Sequence, residues 1–109
     1  MNMREMHEYV HGMVNTDVVD VKLKLVPCMY SSEPDKDMHV QMQMSVAVQR
    51  SDFSLRRERD LEYFDFSLKS GPVIWRDDYE IKDMLKHMVI YMTRKMGIMI
   101  IQGRGKDLT

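Results

Sequence analysis

The chain has 109 residues, a length that suits one domain able to bury roughly two-thirds of its unfolded surface without staples. Sixteen basic against seventeen acidic side chains leave a formal net charge of −1, so the strongly basic footprint of many nucleic-acid binders is absent at the whole-chain level. A single cysteine, Cys28, excludes an internal disulfide and a cysteine-rich metal site, and no stretch approaches the roughly 18 apolar residues of a membrane span.

Arg4, Glu5, His7, Glu8 and His11 stand where a secretory leader would need an apolar run, so a soluble, intracellular protein is expected. Residues 2 to 14 then place Met3, Met6, Val10, Met13 and Val14 at helical spacing, with Arg4, Glu5 and Glu8 elsewhere. This predicts an amphipathic N-terminal helix, weakened at Gly12 and ended by Asn15-Thr16-Asp17. Val18 to Val26 alternates, with Val19, Val21, Leu23 and Leu25 on one side and Asp20, Lys22 and Lys24 on the other, as a half-buried strand does. Pro27 closes it, and Ser31-Ser32-Glu33-Pro34-Asp35 supplies turn chemistry.

Met38 to Gln49 is the clearest element. Val40, Met42, Met44, Val46 and Val48 fall on one parity; His39, Gln41, Gln43, Ser45 and Gln49 fall on the other. Side chains alternate across a strand, so this is a central strand with one buried and one wetter face. Phe53 and Leu55 begin another apolar alternation, which the charged run Arg56 to Asp60 interrupts; it resumes at Phe64, Phe66 and Leu68. Val73-Ile74-Trp75 is a short apolar piece after a Lys69-Ser70-Gly71-Pro72 turn. From Asp77 a second helix is expected to about Met96. Asp77 with Glu80 resembles a capping box, and Ile81, Met84, Leu85, Met88, Met92 and Met96 form the stripe. Gly97 fits a helix-ending glycine, Ile98 to Ile101 reads as a final strand or docked tail, and 103–109 as a flexible end.

The whole predicts one α+β domain over residues 1–109. Its expected core is a mainly antiparallel sheet of four to five strands, with the N-terminal helix and one long C-terminal helix packed on it.

Three functional readings follow from the motifs. His7-Glu8-Tyr9-Val10-His11 matches H-E-x-x-H and resembles the zincin metallopeptidases over those five residues. Two histidines one helical turn apart can share a Zn²⁺, with the glutamate as general base. The resemblance implies a small zinc hydrolase with His7 and His11 as ligands, although no third ligand is nominated nearby. The order helix, strands, strongest helix resembles the double-stranded RNA binding domain, an α-β-β-β-α unit that holds RNA partly through basic contacts at the start of its last helix. That position here carries Asp77, Asp78 and Glu80, so the phosphate-binding candidates move to Arg56, Arg57 and Arg59.

The favoured reading is a non-enzymatic interaction or assembly protein that needs no cofactor, pairs with itself and binds another protein. It rests on an apolar surplus: one sheet has one face to cover, so Ile98, Ile100 and Ile101, together with Met3, Met6 and Val10, are expected to meet a second copy. Thirteen methionines against one alanine add to this, because Met is over-used at adaptable contact surfaces and fills irregular cores. Such a composition fits a viral or phage accessory or structural protein.

Overall fold

A computed structural model describes residues 1–28, 37–49 and 61–96, in the order α1 (Met3–His11), β1 (Val19–Pro27), β2 (Met38–Gln49), β3 (Leu61–Pro72) and α2 (Asp78–Met96). The fold is α+β, with the three strands in the order β1-β2-β3 and both pairings antiparallel. The central strand occupies the residues that its alternation predicts. Val40, Met42, Met44 and Val46 are buried, and they lie opposite Leu25, Leu23, Val21 and Val19 on β1. On β3 the partners of Met42, Met44 and Val46 are Leu68, Phe66 and Phe64.

Both helices cover this apolar face. Met6 and Val10 of α1, with Met13 and Val14 beyond its end, join Ile81, Leu85, Met88, Val89 and Met92 of α2 in one core with the strand residues. Helix α1 packs mainly on β1, α2 on β3, and the two helices touch. The opposite face of the sheet carries Asp20, Lys22, Lys24, Gln43, Tyr63, Asp65, Ser67 and Lys69, all exposed.

Local chemistry fixes the ends of these elements. Asn2 caps α1 with a reciprocal capping box: the Glu5 N–H donates to Asn2 Oδ1 at 2.9 Å and the Asn2 N–H donates to Glu5 Oε1 at 3.2 Å. Asp77 caps α2, its Oδ1 accepting the Glu80 N–H at 2.8 Å. Asn15 makes the turn into β1, accepting the Asp17 N–H on its side chain and the Val18 and Val19 N–H groups on its carbonyl. A register shift between His39 and Gln41 puts an extra β3 residue against β2, and the Ser70 hydroxyl accepts the Val40 N–H at 2.9 Å.

The expected sheet of four to five strands is reduced to three among the described residues. The short apolar piece Val73-Ile74-Trp75 forms a turn. The Arg76 N–H donates to the Val73 carbonyl at 3.1 Å and Arg76 Nε donates to the Pro72 carbonyl at 2.7 Å, which folds the chain back into α2 and buries Val73. The stretches expected to supply the further strands, around Phe53 and at Ile98 to Ile101, lie outside the described residues.

The Met1 amino group pairs with the Asp78 carboxylate at 2.5 Å and ties the start of α1 to the start of α2. Donation from Asp78's partner amine holds the Asp78 carboxyl below its ordinary range, and the same bond raises the amine above its own. Asp78's share of stability is present above the ordinary carboxylate range and lost as pH falls through its lowered pKa. The amine's share is complete below the ordinary α-amine range and lost as pH rises through its raised pKa. Asp78→Asn is therefore expected to remove a shallow alkaline loss of stability, seen as denaturation midpoints that no longer fall at high pH. An unchanged alkaline slope would assign that slope to other groups.

Candidate functional site

The sheet's two edges can be told apart from its hydrogen bonds. The Cys28 N–H donates to the Asp37 carbonyl at 2.8 Å, so β1 and β2 exchange bonds between even residues of β1 and odd residues of β2. The even residues of β2 then face β3, as the Val40 bond to Ser70 shows, and reach the even residues of β3. It follows that the backbone groups of Val21 and its odd neighbours point away from β2 on the β1 edge. Those of Tyr63, Asp65, Ser67 and Lys69 point away from it on the β3 edge.

The β1 edge is met by α1: His11 Nε2 donates to the Val21 carbonyl at 3.1 Å. Beside the β3 edge runs an apolar groove of 460 Å³, bounded by Leu68 on β3 and by Met84, His87, Met88, Ile90, Tyr91 and Arg94 on α2. Phe64 continues the same strand face and is 45 % exposed, while Tyr91 on the helix is 54 % exposed. Helix α2 packs on β3, yet among the described residues Phe64 on the helix-side face of that strand and Tyr91 on the helix are left largely exposed. The groove's polar groups, His87 and Arg94, sit on the helix side; the His87 ring is held by Asp83, with Nδ1 2.8 Å from the Asp83 carbonyl. The lining thus combines Leu68, Met84, Met88, Ile90 and Tyr91 with one imidazole and one guanidinium.

The residues proposed from sequence fall elsewhere. Met6 and Val10 are buried inside the monomer at 3 % and 0 % exposure, and Met3 is half-buried against the same core, so the N-terminal stripe is satisfied by the chain's own sheet. Ile98, Ile100 and Ile101 lie outside the described residues, as do Arg56, Arg57 and Arg59. Asp77, Asp78 and Glu80 stand exposed at the start of α2, where the RNA-binding module presents basic side chains.

His7 and His11 do share one face of α1, their ring centres 5.6 Å apart and nearly perpendicular. His11 already spends its Nε2 proton on the β1 edge, and Glu8 accepts from Arg4 Nε at 3.3 Å instead of facing a site. Among the described residues no group of three His, Cys, Asp or Glu side chains is placed to hold a metal ion. The H-E-x-x-H spacing thus has a structural use: it sets His11 over Val21. His11→Ala should cost about 1 kcal/mol of stability, measured by denaturant unfolding. No measurable loss would mean that water replaces the ring at no cost.

One pairing was not visible in the sequence. Cys28 Sγ lies 3.3 Å from His39 Nδ1, both half-buried at the end of the β1–β2 hairpin, and His39 Nε2 is buried without a hydrogen-bond partner. The two residues are eleven positions apart and meet only through the strand register, so no local spacing could signal them. A thiol and an imidazole in contact can share a proton, but no oxyanion donor or third group completes a nucleophilic site among the described residues.

No helix of the described residues is long and apolar enough to cross a membrane. No protein-family model matches the sequence, and neither a curated protein nor a solved structure matches the chain.

Proposed function

We propose that this chain is a non-enzymatic interaction protein that self-associates through the groove between β3 and α2 and presents the resulting assembly to a protein partner. The observation that supports it is the groove in which Tyr91, 54 % exposed, lies with Leu68, Met84 and Met88, together with Phe64, 45 % exposed on the same face of β3 as Leu68. Single exposed apolar residues are ordinary on soluble proteins, but a contiguous apolar groove along an edge strand marks a contact site. The C-terminal run Ile98 to Ile101 remains part of this proposal as further apolar material for the same interface.

Sedimentation velocity of the full chain across the micromolar range tests it. A species of twice the 13.0 kDa chain mass or more is expected, and a monomer at tens of micromolar protein would leave a monomeric binding module as the better reading. A second reading, RNA binding, is favoured by one observation only, the α-β-β-β-α order with both helices on one face. It requires a salt-dependent shift of duplex RNA that weakens when Arg56, Arg57 and Arg59 are replaced by Ser. The zinc reading requires one equivalent of Zn²⁺ in protein purified without added metal, lost in both His7→Ala and His11→Ala; none is expected.

A further inference from the structure

The apolar side chains along the helix-side face of β3 match themselves best in one antiparallel register. We infer that a second copy of this chain pairs there strand to strand, β3 against β3, across a two-fold axis at Phe66; this rests on the self-association proposed above. Because Tyr63, Asp65, Ser67 and Lys69 direct their backbone groups outward, an added antiparallel strand must bond through these odd residues. That leaves three central registers, with the axis at Asp65, Phe66 or Ser67.

An axis at Asp65 sets two carboxylates directly opposite each other, which repel. At Ser67 the axis sets Asp65 opposite Lys69 of the second copy, but that pair is exposed and adds little, and the same register puts the apolar Phe64 against Ser70, a hydroxyl already engaged with the Val40 N–H and the Gly71 carbonyl. With Phe66 on the axis, every helix-side position meets its like: Phe66 faces Phe66, and Phe64 faces Leu68 of the second copy. On the open face Asp65 then lies opposite Ser67 and diagonal to Lys69 of the second copy, while Tyr63 lies opposite that Lys69. The two apolar grooves fall on the same side of a continuous six-stranded sheet, so strand pairing and groove burial reinforce one another. Isologous pairing of this kind closes at a dimer and needs no further copy.

Charge at Ser67 tests the register without touching the core, since this side chain is exposed on the open face. With the axis at Phe66, Ser67→Lys places an ammonium opposite Asp65 of the second copy, twice per dimer, and should tighten the dimer by about two- to thirtyfold. Ser67→Asp should loosen it by a similar factor. With the axis at Ser67 both variants would set like charges opposite each other and both would loosen the dimer, which overturns the inferred register. A dimer indifferent to both charges would overturn this register while leaving self-association standing. A wild-type chain that stays monomeric would remove the underlying reading itself. Circular dichroism of each variant, expected to match the wild type, separates these outcomes from misfolding.

Discussion

Val46→Asp is expected to abolish cooperative folding. Val46 is 2 % exposed, faces Val19 on one side and Phe64 on the other, and belongs to the core that both helices cover. A carboxylate there meets only apolar side chains. It must either remain charged in a low-dielectric interior or take up a proton at a cost, and in both cases its polar oxygens stay unpartnered. A loss of about 4 kcal/mol or more is expected, against a total stability of about 5–15 kcal/mol for a typical domain. Ala47→Asp, one residue on but on the exposed face, is the matched control and should change stability by no more than about 0.5 kcal/mol. Thermal melts of the two variants would settle the facing of β2. A cooperative transition at wild-type temperature in Val46→Asp would remove the central strand from the core.

The second large effect is expected on association. Tyr91 projects from α2 into the groove with 54 % of its surface still exposed, so its replacement removes contact area at the interface without opening the monomer core. Aromatic side chains at the centre of such patches commonly carry 2 kcal/mol or more of binding free energy. Tyr91→Glu also introduces a charge that must be desolvated when a second copy docks. The dimer dissociation constant should rise about thirtyfold or more, while the unfolding free energy moves by less than about 1 kcal/mol. Tyr79→Glu serves as comparison, because Tyr79 is 80 % exposed at the start of α2 and lies outside the groove lining. Equal effects from the two substitutions would take the groove out of the interface.

Where sequence reading succeeded, the signal was periodic and two-sided. Strand β2 is legible because Val40, Met42, Met44 and Val46 alternate with polar residues over a stretch too long to arise from a turn. The α2 stripe was equally visible, since Ile81, Leu85, Met88 and Met92 recur at helical spacing behind a capping aspartate, and these four are buried. Strand number was harder. The expected extra strands rest on Phe53, Leu55 and Ile98 to Ile101, short apolar runs that lie outside the described residues.

The candidate site was the least legible part. A hydrophobic stripe such as Met6 and Val10 does not say which surface covers it, and here the chain's own sheet does. The groove depends on how far α2 reaches across β3, a tertiary quantity that Phe64 and Tyr91 do not encode locally. Their parity was available: Phe64 lies on the face of Phe66 and Leu68, and Tyr91 sits three residues after Met88. The exposure of both is set by the tertiary packing of α2 on β3, which no local spacing encodes.

Amide hydrogen exchange on the intact chain at two concentrations, one well above and one well below the association midpoint, reads the proposed interface residue by residue. Protection at high concentration is expected to rise at Tyr63, Asp65, Ser67 and Lys69, whose amides point away from β2, while the outward amides of β1 at Val21 and Leu23 stay unchanged. Protection of the β3 edge that does not depend on concentration, or a rise confined to β1, would contradict association through this surface.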